Sequence, residues 1–147
     1  SGLDDLATKG KGFDVLFHLA ARNNNQPGTT ADFDAANVDH ALQALEQART
    51  AGIRRFIYVS TVHALDAANH SPYAASKRRG AEAVMAAAKG IDASILYLPA
   101  VQGKRFAGKL AVMNRLPPIQ RTPAFHVLSA LRPTVSIDRL AMQRRCG

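Results

Sequence analysis

The chain has 147 residues, 47% of them hydrophobic and 20% charged, with 10 Gly, 7 Pro and a net charge of +8. This composition suits one folded domain of ordinary size and excludes disordered, collagen-like and low-complexity chains. The basic excess falls in residues 73–147, thirteen cations against three anions; it is dispersed in pairs without interleaved aromatics, so no nucleic-acid partner is expected.

Residues 13–20, Phe-Asp-Val-Leu-Phe-His-Leu-Ala, form a nearly continuous apolar run and predict a strand buried on both faces. A polar loop follows from Arg22 to Gly28. Ala35, Val38, Leu42, Leu45 and Ala48 then recur every three or four residues, with Asp32 and Asp34 at the front and Gly52 past the end, which predicts an amphipathic helix over 32–51. Residues 54–60 read as a second strand, rich in β-branched and aromatic residues. Ser71 and Pro72 read as an N-cap and first helical position, opening an Ala-rich helix over about 73–89 that Gly90 closes. Residues 93–98 predict a third strand. Residues 104–131 read as two helical pieces broken at Pro117-Pro118, Thr134 to Ile137 as a short strand, and Asp138 as the start of a final helix. Strands alternating with helices predict an α/β fold with a doubly wound parallel sheet, divided into residues 1–103 and 104–147.

No stretch reaches the roughly 18 consecutive apolar residues of a membrane span, and the N-terminus shows no charged-then-apolar leader. Cys146 stands alone, so it closes no internal disulfide. A cytoplasmic chain with no membrane partner is expected. Five histidines, His18, His40, His63, His70 and His126, lack a second ligand at metal spacing, and no metal site is expected.

The sharpest chemical signal is Tyr73-Ala-Ala-Ser-Lys77. Residues i and i+4 of a helix lie on one face, so the ammonium can stand near the phenol and pull its pKa down from about 10. Such a tyrosine can exchange a proton with a carbinol or carbonyl oxygen. The same spacing also occurs as an ordinary surface pair, so the setting decides. Ser60-Thr61 closes the second strand at the end where ligands bind in open α/β sheets, and His18-Leu19-Ala20-Ala21 closes the first with small residues.

Taken in order, Phe-Asp-Val-Leu-Phe-His-Leu-Ala-Ala, Ala-Asn37-Val-Asp, Ala-Gly52-Ile-Arg-Arg-Phe-Ile-Tyr-Val-Ser-Thr61 and Ser-Pro-Tyr73-Ala-Ala-Ser-Lys77-Arg-Arg-Gly-Ala-Glu resemble the extended short-chain dehydrogenase/reductase family. More narrowly, they resemble its NAD-dependent epimerase/dehydratase group, which includes UDP-glucose 4-epimerase. Residues 13–100 carry the match, and Val135 to Ala141 resembles a later stretch of the family. The resemblance implies an incomplete Rossmann-like sheet. It makes Tyr73 the catalytic acid/base and Lys77 the residue that lowers its pKa and binds the nicotinamide ribose. Thr61 would hold the substrate oxygen, with Ser60 the alternative. Leu19, Ala20 and Ala21 would line the cofactor cleft and Pro99 would lie near the nicotinamide. Asn37 matches the family's helix asparagine, either a cofactor residue or a brace for the neighbouring strand. The implied cofactor is NAD or NADP, the implied substrate a nucleotide sugar, and a homodimer is a candidate assembly. A reductase of hydroxysteroid type and a non-catalytic Rossmann-like binding protein remain alternatives.

Two departures qualify this. The chain contains no Gly-x-x-Gly-x-x-Gly, and Gly10-Lys-Gly12 precedes a strand where a phosphate loop must follow one. The glycine-loop unit is expected upstream, making these residues a piece of a longer enzyme and exposing the edge of the 13–20 strand to association. Leu98-Pro99-Ala-Val-Gln-Gly103 lacks the arginine the family often has after this strand. Lys104, Arg105 and Lys109 could meet a diphosphate or be a solvated basic surface.

Overall fold

The computed structural model describes residue 3, residues 5–102 and residues 134–136. The chain divides into two compact units, Ser1–Tyr97 and Leu98–Gly147. In chain order the elements are α1 (Leu6–Lys9), β1 (Val15–His18), α2 (Thr30–Asp34), a π turn (Ala35–Asp39), α3 (His40–Thr50), β2 (Arg55–Thr61), a 3-10 turn (Val62–Leu65), α4 (Pro72–Ala87), β3 (Asp92–Leu98), β4 (Ala100–Gln102) and β5 (Thr134–Ser136).

An open three-stranded parallel sheet in the order β1-β2-β3 organises the first unit. Val15 to His18 lie opposite Arg55 to Tyr58, so His18 and Tyr58 are neighbours on one sheet face. That face is the core. Phe56 and Tyr58 of β2 pack against Ala41, Ala44, Leu45 and Ala48 of α3 and Ala81 and Val84 of α4, and the many alanines let both helices lie close on the sheet. The other face presents Val15, Phe17 and Leu96, each about 40% exposed. Arginine pairs fasten strand starts and helices: Arg54 reaches Asp14 at 2.7 Å, Arg55 reaches Asp92 at 2.8 Å, and Arg79 of α4 pairs with Asp34 of α2. In the second unit β4 and β5 pair in parallel, Ala100 opposite Thr134. No helix among the described residues is long and apolar enough to cross a membrane.

Two expectations are corrected. The helix over 32–51 begins earlier, at Thr30, because Thr29 forms a reciprocal capping box with Asp32, and it is interrupted by the π turn. Such a turn widens the helix and frees backbone groups for outside partners; here the Asn37 carbonyl accepts the Tyr58 hydroxyl at 2.9 Å. The expected strand over 13–20 closes at His18, leaving Leu19, Ala20 and Ala21 outside the ladder. The expected short strand at 134 is present as β5, whereas the helices expected over 104–131 and from Asp138 lie outside the described residues.

Candidate active site

β2 and α4 converge on the central residues. Thr61 ends β2 at 7% exposure. Ser71 caps α4 by accepting a hydrogen bond from the Ala74 amide at 3.3 Å, and its own hydroxyl donates to Asn69 Oδ1 at 2.7 Å. With Pro72 in the first helical position, this sets Tyr73 in the first turn and Lys77 one turn later. The Thr61 side chain lies close enough to the Tyr73 phenol to favour its ionised form. Thr61 Oγ1 also accepts from the His63 amide at 3.4 Å, which starts the 3-10 turn.

Arg78 holds the segment between these two residues. Its guanidinium donates to the Ala64 carbonyl at 2.9 Å and to the carbonyls of Asp66 and Asn69. One side chain beside Lys77 thus fastens the chain that joins Thr61 to Tyr73. A basic pair on a helix gave no sign of this, since the acceptors are backbone carbonyls nine to fourteen residues away.

The electrostatics of the pair differ from the sequence expectation. Burial pushes the Tyr73 phenol above the ordinary tyrosine value, and the Thr61 side chain works against that rise. The pull expected from Lys77 is replaced by another contact: its ammonium, on a side chain 2% exposed, sits 4.0 Å from the centre of the Tyr58 ring. Burial lowers Lys77 to about 8, and a phenol held upward keeps its proton at neutral pH.

Asn37 is wholly buried. Its Oδ1 accepts from the Arg22 amide at 2.8 Å, and its Nδ2 donates to the Arg22 carbonyl at 3.1 Å and to Ser76 Oγ at 2.9 Å. Both its amide hydrogens are engaged within the protein. It ties the loop after β1 to α4, whose Ser76 in turn donates to the Tyr73 carbonyl at 3.0 Å.

Ala20 and Ala21 wall a cleft of about 540 Å³ together with Arg22, Ala35, Ala36 and His40. Leu19 is outside this lining and 69% exposed. Ser60 lies 4% exposed at the end of β2, its hydroxyl without a partner among the described residues. His18, equally buried, stacks on Tyr58 at 5.8 Å and 12°; its Nε2 is likewise unpartnered, and burial and then the Lys77 charge lower it to about 4. Pro99 belongs to the second unit.

The family model described as NAD dependent epimerase/dehydratase family matches residues 3–122. A curated protein named ceramide reductase, from Caulobacter vibrioides, is 39% identical over 127 residues, covering 86% of this chain and 36% of that protein. Among solved structures, DesIV, a dTDP-glucose 4,6-dehydratase from Streptomyces venezuelae with NAD bound, aligns over 76% of this chain and 40% of its own, with a TM-score of 0.64 at 22% identity. A UDP-glucuronic acid 4-epimerase from Bacillus cereus in complex with NAD aligns over 67% of this chain and 36% of its own, with a TM-score of 0.57 at 24% identity. The chain therefore spans well under half the length of these relatives.

Proposed function

The chain belongs to the NAD-dependent epimerase/dehydratase family, and from that premise we propose that it supplies the proton-transfer centre of an NAD(P)-dependent enzyme acting at a carbonyl, in the direction of reduction. The observation that carries this reading is the placement of Tyr73 in the first turn of α4 beside Thr61 at the end of β2, with burial raising the phenol above the ordinary tyrosine value. A buried phenol that keeps its proton at neutral pH is suited to donate it to an oxygen on which negative charge develops. Thr61, at the end of β2, can hydrogen-bond the same oxygen. The reductase named among the relatives supports this direction, since it shares 39% of the aligned residues.

The residues present fit a nicotinamide cofactor. Ala20, Ala21, Ala35 and Ala36 line a cleft in which a flat ring can approach the backbone closely. The bound cofactor supplies the hydride. Lys77 would bind the ribose hydroxyls with its ammonium, Pro99 would approach the nicotinamide, and residues 104–147 would form part of the substrate-binding region. In the reduction, Tyr73 gives up its phenolic proton to the substrate oxygen and recovers one from solvent, while the carbonyl carbon becomes a carbinol.

A second reading is favoured by the motifs over residues 13–100, which resemble nucleotide-sugar epimerases. There Tyr73 would first accept and then return the proton while NAD is reduced and reoxidised. Absorbance at 340 nm separates the two. Net consumption of NAD(P)H with a carbonyl substrate supports reduction; conversion of a UDP- or dTDP-sugar with NAD and no net absorbance change supports epimerisation. Inertness toward both groups of compounds overturns the proposal.

A further inference from the structure

We propose that Tyr58 is a positioning residue for this site: its ring is the platform on which the Lys77 ammonium is held, desolvated and free of a carboxylate, and its hydroxyl locks that platform to the π turn. The proposal rests on the reading of Lys77 as a cofactor-binding lysine. Four observations meet on this one side chain. Tyr58 is completely buried in the middle of β2. The Lys77 Nζ stands 4.0 Å from its ring centre. Its hydroxyl donates to the Asn37 carbonyl at 2.9 Å, and Asn37 is itself pinned to Arg22 and Ser76. Finally, α4 carries glycine where it crosses this hydroxyl, because a Cβ on Gly80 would lie 2.4 Å from it.

The physical logic concerns what a buried ammonium needs. At 2% exposure Lys77 has little access to water, and none of the ion pairs among the described residues includes it. A carboxylate would hold the charge but would occupy its N–H donors. The negative face of an aromatic ring attracts the cation without accepting a directed hydrogen bond, so the donors stay available to a ligand. The titratable groups nearby cannot replace the ring: His18 on β1 is kept neutral by burial and by the lysine charge itself, His40 opens α3, and Tyr73 on α4 and Tyr97 on β3 face the Tyr58 phenol. The hydroxyl then prevents the ring from yielding, since its acceptor belongs to a backbone turn braced on both sides.

The test reads the Lys77 side-chain titration by NMR in the unliganded whole protein with ¹³C-labelled lysine. Tyr58→Phe keeps the ring but removes its lock to the Asn37 carbonyl, so the Lys77 midpoint should fall below that of the wild type, and this value sets the reference for the next series. Phenylalanines bearing one, two and three fluorines at position 58 keep the shape while draining the ring face. They should lower the midpoint stepwise, by about one unit across the series. These near-isosteric replacements preserve the fold where Tyr58→Leu could fail to do so, and the amide spectrum verifies it. A midpoint that stays flat across the fluorinated series, in a protein with a native amide spectrum, overturns the proposal. Because no turnover is read, that result would leave the role of Tyr73 untouched, whereas turnover surviving in Tyr73→Phe would refute the acid/base reading and leave the lysine platform standing.

Discussion

Gly80 offers a prediction whose sign depends on the tertiary structure. In the middle of an exposed helix, glycine to alanine stabilises by about 1 kcal/mol through backbone entropy. Here the added Cβ would lie 2.4 Å from the Tyr58 hydroxyl, 2.5 Å from the Asn37 carbonyl oxygen and 3.0 Å from Tyr58 Cζ. Neither neighbour can retreat cheaply, because Tyr58 is fully buried and the Asn37 carbonyl belongs to the braced π turn. Relief requires displacing α4, an overpacking cost of about 1–3 kcal/mol, and stretching the 2.9 Å hydrogen bond, which adds about 1 kcal/mol. Set against the helical gain, Gly80→Ala should destabilise by about 1–3 kcal/mol. Equilibrium urea denaturation, with the slope unchanged from wild type, measures it directly. Stabilisation by about 1 kcal/mol would show that α4 does not approach β2 as described.

Asn37→Leu should cost about 2–4 kcal/mol in the same assay, because it strands the Arg22 amide and carbonyl in a part-buried site and removes a partner of Ser76; a loss below about 0.5 kcal/mol would refute the brace. His18, lowered from 6.5 to about 4, contributes stability above pH 6.5 that is lost as pH falls toward 4, by about 1.4 kcal/mol per unit; the urea midpoint should follow that slope in wild type and flatten in His18→Phe. Arg78→Ala should speed hydrogen exchange of amides in residues 64–69 by at least about tenfold, and Arg78→Lys should not restore protection because one ammonium cannot replace the guanidinium fork; unchanged exchange would mean the three carbonyl contacts do not hold the loop.

The elements that sequence periodicity marks are those whose burial is repetitive. Ala35, Val38 and Leu42 of the apolar stripe read from spacing are not fully buried. Leu45 and Ala48 of that stripe do lie in the core beneath α3, and the aromatic-rich run of residues 54–60 places Phe56 and Tyr58 there too. Tyr73 and Lys77 are legible for the same reason, being one helical turn apart, and Thr61 because a hydroxyl closes a strand. What escaped the sequence depends on partners far along the chain. The π turn is stabilised by bonds from Asn37 to Ser76, 39 residues away, and from Tyr58 to the Asn37 carbonyl. The resting place of the Lys77 ammonium needs the β2–α4 packing, and the upward direction of the Tyr73 pKa needs its burial, neither of which spacing contains. One signal was available: a glycine inside an Ala-rich helix indicates a close backbone approach, and Gly80 is that glycine. The one-turn α1 and three-residue β4 are too short to show any period.

The central claim is that the Tyr73 phenol moves the reaction's proton, and Tyr73→Phe in the whole protein tests it most directly. Turnover and NAD affinity should be measured on the same preparation, the second by calorimetry. The account predicts a fall in kcat of about 10²–10⁴-fold with cofactor affinity close to wild type. Turnover retained at the wild-type rate would contradict it.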